Sequence, residues 1–135
     1  MDDSRPVFAG VDHLHVYVKD RAAAADWYQQ VLGFEPMEAL AQWASGGGPL
    51  TLEDRSGKVH LALFESDKAP TSTIAFGASG AAFIDWRNYL AAAGLELRLA
   101  DHELAWSLYF HDPDGNYHEI TTYDHGYVSA RLSEE

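Results

Sequence analysis

The sequence predicts an α+β fold of two paired βαβββ modules that form a curved, mostly antiparallel sheet around a cavity. Three observations predict it. A turn-and-strand segment at 54–65 recurs at 112–123, an amphipathic helix ending in glycine precedes each copy, and a β-like stretch precedes each helix. A repeat of this order means that one structural unit occurs twice. We therefore expect module one at about 8–66 and module two at about 72–124, in a single domain spanning 1–135.

Each module begins with a strand that leads into a helix. VDHLHVYV at 11–18 and STIAFGA at 72–78 are rich in β-branched and aromatic residues, as strands are. RAAAADWYQQVLGF at 21–34 and SGAAFIDWRNYLAAAGLEL at 79–97 have apolar residues at helical spacing. A glycine just after such a pattern indicates the end of the helix. The two glycines are Gly33 and Gly94.

Each helix is followed by a polar turn and a strand. DRSGKVHLALFE and DPDGNYHEITTY align without a gap, which pairs Asp54 with Asp112 and Leu61 with Glu119. In the DPDG turn, proline is predicted at the first corner and Gly115 at a position with positive φ. The three glycines at 46–48 lack the context of a phosphate-binding loop, so they are interpreted as the tip of a flexible hairpin.

Alternation along the strands predicts an apolar face and a polar face on each one. The apolar residues of the first strand are expected to pack on the helix, and His60 and His118 are expected to face the helices as well. Such polar faces are typical of a solvated antiparallel sheet, and also of the wall of a small-ligand cavity. The polar faces of 11–18, of WSLYFH at 106–111 and of the closing strand carry His13, His15, Tyr17, Ser107, Tyr109, His111, Tyr117, Glu119, Thr121 and Tyr123.

Charge and composition exclude several classes of protein. The chain has 21 acidic and 9 basic residues and a formal charge of -12, which argues against nucleic acid or an anionic membrane as a partner. It has no cysteine, so disulfides, thiolate nucleophiles and sulfur ligands are excluded and a metal would be held by histidine and carboxylate groups. Without a signal-peptide pattern or a membrane span, a soluble cytoplasmic protein is expected.

Taken together, VDHLHVYVKDRAAAADWYQQVLGF, YFHDPDGNYHEI and the paired modules resemble the vicinal oxygen chelate superfamily, over roughly residues 8 to 124. This superfamily contains glyoxalase I, fosfomycin-resistance thiol transferases, extradiol dioxygenases and bleomycin-resistance proteins, and the second half is most similar to the fosfomycin-resistance branch. The resemblance implies a homodimer in which the cavity is formed between modules of different chains. One scaffold carries many reactions in this family, so the resemblance indicates the fold more sharply than the chemistry.

The resemblance also implies a metal site. Metal-dependent members take ligands from the first strand of each module and from the strand after the DPDG-type turn, which here gives His13 and Glu119. The other two positions fall at Leu61 and Thr73, and neither side chain is a usual ligand. The expected cofactor is a divalent metal, one of Mn, Zn, Fe, Ni or Mg. His15 lies about 6 to 7 Å further along the strand on the same face, and it supplies a further nitrogen only if the two side chains converge.

Two functions stay open from the sequence. The first is a divalent-metal-assisted lyase or thiol transferase that acts on a small oxygenated substrate, with Glu119 and Tyr109 as catalytic residues. The alternative is a metal-free protein of the bleomycin-resistance type that binds a drug or another aromatic molecule. YDHGYVSARLSEE at 123–135 is interpreted as a lid or dimer-edge segment with a frayed acidic end. The substrate-binding residues are predicted to be His15, Tyr17, Thr73, Ser107, His111, Tyr117 and Thr121.

Overall fold

A computed structural model describes residues 11–68, 71 and 73–135 of the chain. The chain divides into two compact units between Asp67 and Lys68. Each unit contains one four-stranded sheet with helices packed on it, and each sheet combines one parallel strand pair with two antiparallel pairs. The α+β fold built from repeated modules is therefore confirmed. No helix among the described residues has both the length and the apolar character needed to cross a membrane.

Unit one follows the predicted order of strand, helix and further strands. Its sheet has the strand order β1-β4-β3-β2, in which β1 and β4 run parallel and the other neighbours run antiparallel. The elements are β1 (Leu14–Val18), α1 (Arg21–Trp27) with a π-helical continuation (Tyr28–Leu32), β2 (Glu35–Pro36), a 3-10 turn (Glu38–Leu40), α2 (Ala41–Ser45), β3 (Leu50–Glu53) and β4 (His60–Glu65).

The first helix begins and ends where its sequence predicts. Asp20 caps its start by accepting a hydrogen bond from the Ala23 backbone N–H at 3.0 Å. Its last turn widens to a π-helix and stops at Gly33, whose φ of 77° is costly for a residue with a Cβ. This widened turn carries Tyr28, which is fully buried and packs edge-on against Phe34. The helix is thus held to the sheet by its π-helical end.

The three glycines at 46–48 do not form the predicted hairpin tip. They follow α2, a short helix that the sequence analysis missed, and lead from it into β3. The Gly48 N–H donates to the Trp43 carbonyl at 2.7 Å, and a Cβ at Gly48 would lie 2.9 Å from that oxygen. The Arg21 guanidinium donates to the carbonyls of Gly48 and Ala44. The glycines therefore allow a close backbone approach that ends a helix.

Unit two repeats the architecture and adds a terminal helix. Its sheet has the strand order β5-β8-β7-β6, again with one parallel pair, β5 and β8. The elements are β5 (Thr73–Gly77), α3 (Gly80–Ala92), β6 (Arg98–Asp101), β7 (Trp106–His111), β8 (Tyr117–Thr122) and α4 (His125–Ser133).

The long helix of unit two also matches its sequence signals. Ser79 caps it by accepting a hydrogen bond from the Ala82 N–H at 3.1 Å, and Gly94 follows its end with a φ of 87°. Phe83 and Leu90, two turns apart on one face, are fully buried. Their burial explains why this segment is helical, because most helix stability in proteins comes from packing an apolar face.

The C-terminal segment, interpreted from the sequence as a lid or dimer-edge segment with a frayed acidic end, contains a helix that the sequence analysis did not predict. The segment forms α4, which packs on α3 and buries Val128. The indole N–H of Trp106 donates to Ser129 Oγ at 2.9 Å, and the Trp106 ring stacks on His125 with centroids 5.9 Å apart. A further contact joins the first residue of α3 to the residue before α4, where the Gly80 N–H donates to Asp124 Oδ2 at 2.7 Å. These contacts make α4 part of unit two.

The predicted faces of the strands are confirmed in β1, β7 and β8. Buried and accessible residues alternate along β1 and β8, because successive side chains of a strand point to opposite sides. In β7, Leu108 and Phe110 are buried as predicted, but Ser107 on the polar face is buried as well. The buried apolar residues of these strands are Val16, Val18, Leu108, Phe110 and Ile120.

Candidate functional site

Two histidines converge at the start of β1 in unit one. His13 Nε2 and His15 Nε2 lie 3.1 Å apart, and the rings are nearly parallel, with centroids 5.0 Å apart. Because the nitrogens are closer than the centroids, they face each other. Residues two apart on a strand start about 6 to 7 Å apart, so both side chains lean inward to meet. The convergence that a shared metal would require is present.

A carboxylate fixes the orientation of the first imidazole. His13 Nδ1 lies 2.9 Å from Asp12 Oδ2. The carboxylate can only accept, so Nδ1 carries a proton, and in the neutral imidazole this leaves the Nε2 lone pair open. A carboxylate behind a histidine is the usual outer partner of a metal-binding imidazole, since it selects the tautomer and raises the basicity of the other nitrogen.

Aromatic rings flank the histidine pair on the same face of the sheet. His15 packs against Phe64 with ring centroids 4.6 Å apart, and Tyr17 packs against the same ring at 5.8 Å. Phe64 lies on β4, where its register partner is Tyr17. The predicted substrate-binding residues His15 and Tyr17 therefore line one surface with an apolar ring between them.

The register of β4 corrects the predicted counterpart of Glu119. Leu61, the residue that the gapless repeat pairs with Glu119, is fully buried on the helix-facing side. The residue that holds the equivalent place is Ala62, which pairs with His15 just as Glu119 pairs with Ala75. Ala62 offers no ligand atom, so this position still lacks a metal ligand.

The cause of the shift is one extra residue in the first turn. Next to the turn, the last paired residues of β3 and β4 are Glu53 and His60, and those of β7 and β8 are His111 and Tyr117, so the first turn is one residue longer. A slip of one residue moves every side chain of a strand to the opposite face. For the same reason the prediction that His60 faces the helices was wrong. His60 lies on the face of Ala62 and contacts Glu53 at 2.8 Å.

Thr73 occupies the place in β5 that corresponds to His13, as the repeat predicts. Ile74 pairs with His118 in unit two as Leu14 pairs with Leu61 in unit one. Thr73 comes directly before Ile74, and His13 comes directly before Leu14, so the two residues hold equivalent places. Thr73 is exposed and has Tyr117 as its register partner. A threonine hydroxyl is a weak metal ligand at most, but it can hydrogen-bond a substrate.

In unit two, Glu119 is held by the hydroxyl group of Ser107 on the neighbouring strand. Ser107 Oγ lies 2.8 Å from Glu119 Oε2 and 3.2 Å from Thr121 Oγ1. Ser107 has one hydroxyl proton, which we assign to the shorter and charge-assisted bond to the carboxylate. Because Ser107 is buried, this bond orients Glu119 firmly on the polar face of the sheet.

Tyr109 lies beside Glu119 and has partners of its own. The two residues are directly opposite each other in the β7 and β8 pair, so their side chains share a face. The Tyr109 hydroxyl lies 3.0 Å from His102 Nε2, and the Arg98 guanidinium sits 4.3 Å above the Tyr109 ring. Sequence reasoning missed Arg98 and His102. The alternation of β6 places Arg98 opposite Tyr109 and was the signal that could have found it.

The last two predicted residues, His111 and Tyr117, are opposite each other where β7 and β8 meet the turn. Their rings are 6.0 Å apart, and His111 Nδ1 approaches the Asp112 carbonyl at 3.3 Å. Both side chains are exposed. The structure thus brings Ser107, Tyr109, His111, Tyr117, Glu119 and Thr121 onto one face of the second sheet.

The turn that precedes Glu119 is anchored by a buried carboxylate. Asp112 Oδ1 accepts from the backbone N–H groups of Asp114 and Asn116 at 2.9 and 2.8 Å, and Oδ2 accepts from the Asn116 side-chain amide at 2.9 Å. Gly115 has a φ of 86°, as predicted. Beyond the turn, His118 is fully buried, and desolvation lowers its pKa to about 4 although Asp112 acts in the opposite direction. His118 is therefore a neutral core residue, as predicted.

Sequence comparison identifies the family. A model of the Glyoxalase/Bleomycin resistance protein/Dioxygenase superfamily matches residues 10–120, which is most of the chain. The chain belongs to this superfamily. A search of curated proteins found no significant match.

Solved structures agree on the fold of this glyoxalase-superfamily protein. An integron cassette protein from the mobile metagenome of the Halifax Harbour sewage outfall has a TM-score of 0.74 at 22% identity, covering 85% of this chain and 99% of the other. A putative glyoxalase family protein from Bacillus anthracis has a TM-score of 0.71 at 19% identity, with 88% and 98% covered. Lactoylglutathione lyase from Agrobacterium tumefaciens has a TM-score of 0.69 at 20% identity, with 84% and 93% covered.

The described residues supply some, but not all, of the side chains that would be needed to hold a divalent metal. Within residues 11–68, 71 and 73–135, no three histidine, aspartate or glutamate side chains are grouped so that they could hold a metal ion. Unit one offers the two converging imidazoles, and unit two offers the oriented carboxylate of Glu119. Considered separately, the imidazole nitrogens of unit one are ligands that suit Zn, Fe and Ni, and a carboxylate such as Glu119 in unit two suits Mg and Mn.

Proposed function

We propose that this glyoxalase-superfamily protein is a divalent-metal-assisted lyase or thiol transferase that acts on a small oxygenated substrate, with His13 and Glu119 as metal ligands. The observation that carries the proposal is the state of His13. Its Nδ1 is bound to Asp12 and its Nε2 is directed at a second imidazole, which is how a metal-binding histidine is prepared. Ser107 gives Glu119 a comparable fixed orientation.

The bound metal would supply Lewis-acid chemistry by polarising the oxygen atoms of the substrate. The imidazole of His13 would suit Zn, Fe or Ni, and the carboxylate of Glu119 would suit Mn or Mg. One structural neighbour is a lactoylglutathione lyase, which is consistent with a lyase that handles a thiol adduct. The identity with that protein is 20%, so the name serves as a guide for choosing substrates.

We assign Tyr109 to proton handling. Its hydroxyl is hydrogen-bonded to His102 and lies on the same face as Glu119, directly across the strand pair. A phenol can donate to a substrate oxygen as negative charge develops there, and a neighbouring imidazole can exchange that proton. Arg98 above the Tyr109 ring adds positive charge, which favours an anionic or strongly polarised substrate group.

Substrate binding is assigned to the other predicted residues. Thr73, Thr121 and Ser107 offer hydroxyl groups, and His111 and Tyr117 form an exposed aromatic pair at the end of the sheet. In unit one, His15 and Tyr17 flank Phe64. We also propose that the protein works as a homodimer in the cytoplasm. Light scattering at several protein concentrations tests the dimer, and a monomer throughout would contradict it.

The alternative function is a metal-free protein that binds a drug or another aromatic molecule. One observation favours it: the positions equivalent to two family ligands are Ala62 and Thr73, and neither holds a metal well. In that case Tyr17, Phe64 and Tyr117 would contact an aromatic ligand. The net charge of -12 would favour a cation.

Calorimetric titration with Zn²⁺, Mn²⁺ and Ni²⁺ decides between the two functions. Stoichiometric binding that is weakened on the order of tenfold or more by His13→Ala and by Glu119→Gln supports the metalloenzyme. The matched control is Asp101→Asn, which removes an exposed carboxylate on the same sheet and is expected to leave affinity unchanged. Loaded protein is then assayed with thiol adducts of α-oxoaldehydes and with epoxide and thiol pairs. Absence of metal binding, combined with binding of cationic aromatic probes, would establish the alternative.

A further inference from the structure

The His13 and His15 side chains form a pair whose geometry is specific enough to carry an assignment. We propose that they act together as a two-imidazole clamp on a single strand, in which His15 supplies a second nitrogen beside that of His13. The inference rests on the metal-dependent function proposed above and deepens it. It adds a ligand that the sequence repeat does not supply, and it selects the class of metal.

The distance between the nitrogens matches a shared metal. Imidazole nitrogens bind Zn²⁺ at about 2.0 to 2.1 Å, so two nitrogens on one ion lie about 2.9 Å apart at a right angle and about 3.3 Å apart at a tetrahedral angle. The observed Nε2 to Nε2 distance of 3.1 Å falls between these limits. An ion bound at that distance to both nitrogens would therefore lie to one side of the line that joins them, and the separation of the nitrogens need not change.

The surroundings of the pair favour the same conclusion. β1 is an edge strand of its sheet, and both histidines are exposed, so an ion can reach them from solvent. Asp12 fixes the tautomer of His13, and Phe64 restricts the ring of His15 from the other side. Restricting two ligands in advance reduces the entropy that binding would otherwise cost.

The clamp also restricts which metal binds. Two neutral imidazoles suit Zn²⁺, Ni²⁺, Cu²⁺ and Fe²⁺, whereas Mg²⁺ prefers an octahedral shell of oxygen atoms. The two nitrogens act as linked ligands, and linkage commonly raises affinity by a factor on the order of 100 or more. We therefore expect removal of His15, and equally removal of His13, to weaken Zn²⁺ binding on the order of 100-fold.

Cu²⁺ electron paramagnetic resonance tests the clamp, because the superhyperfine splitting counts the nitrogens bound to the ion. The wild-type chain is expected to give two equivalent nitrogens at one ion per chain, and His15→Gln and His13→Ala are each expected to give one nitrogen or no specific signal. His60→Ala is the matched control, since it removes a histidine from the same face of the same sheet. Far-UV circular dichroism of each variant checks that the exposed substitution leaves the fold intact.

The outcomes separate this inference from the proposed function. Two nitrogens in the wild type and one in His15→Gln, with affinity also reduced by Glu119→Gln, support both. One nitrogen in the wild type, with affinity reduced by Glu119→Gln, overturns the clamp and leaves the proposed function standing. Two nitrogens with no effect of Glu119→Gln support the clamp and contradict the assignment of Glu119. Retention of both nitrogens in His15→Gln overturns the clamp whatever Glu119 does.

Discussion

Replacing His118 with leucine is expected to make the free energy of unfolding less sensitive to a fall in pH. His118 is fully buried in unit two, between the rings of Phe76 and Phe110 at 5.8 and 5.5 Å, and burial lowers its pKa from 6.5 to about 4. The unfolded chain therefore binds this proton at a higher pH than the folded chain does. The contribution to stability is complete above about pH 6.5 and is lost as the pH falls towards 4.

The size of the effect follows from the two pKa values. A pKa lowered from 6.5 to about 4 corresponds to about 3 kcal/mol of stability in total, of which about 2 kcal/mol is lost between pH 7.5 and pH 5. Leucine at this position cannot be protonated and has a similar volume. His118→Leu should therefore lose about 2 kcal/mol less than the wild type over that interval, whatever its stability at pH 7.5.

Urea unfolding at pH 7.5, 6 and 5, at constant ionic strength, measures the difference. Tryptophan fluorescence and far-UV circular dichroism should give coincident transitions, which justifies calculating the free energy of unfolding from a two-state model. His102→Gln is the control, because that histidine is exposed on the same unit. Parallel stability curves for His118→Leu and the wild type would refute the reasoning, since they would mean that His118 titrates alike in both states.

Two further predictions concern backbone packing and the turn. Gly80→Ala should destabilise unit two by about 1 to 3 kcal/mol through overpacking, since the new Cβ would lie 2.8 Å from Asp124 Cβ and from Tyr127 Cδ1 in α4. In Gly126→Ala, the new Cβ in α4 would meet nothing within 4 Å, so the substitution should leave stability unchanged or raise it by up to about 1 kcal/mol. Thermal melts in which the two glycine variants behave alike would contradict the packing explanation. Asp112→Ala should cost about 3 kcal/mol because it leaves buried N–H donors unpaired, whereas Asp54→Ala in the more accessible first turn should cost about 1 kcal/mol, as water replaces the lost acceptor. Equal losses of unfolding free energy in the two turn variants would show that burial does not set the difference.

The features that the sequence predicted well are those encoded by a few neighbouring residues. Alternation determined which face each side chain of β1, β7 and β8 takes, because a strand has a period of two. Terminating glycines marked where the π-helical continuation of α1 and where α3 end, because Gly33 and Gly94 accept positive φ.

The features that it missed depend on counting and on packing. A single extra residue in the first turn shifted the register of β4, which exchanged Leu61 for Ala62 as the counterpart of Glu119. A gapless comparison of the repeats could not find this, because the turns match and only the ladder shows where pairing resumes. The C-terminal helix was missed because its stability comes from contacts with α3 and Trp106 rather than from its own pattern.

The amino-acid sequence by itself determined the family, the two modules, the polar faces and the presence of His13, His15 and Glu119 on them. Only the tertiary structure decided what those side chains do to each other. A strand places His13 and His15 about 6 to 7 Å apart, and the 3.1 Å between their nitrogens comes from rotamers held by Asp12 and Phe64. Local periodicity determines which face a side chain takes. The packing of its neighbours determines where its last atom lies, and the chemistry of a site depends on that atom.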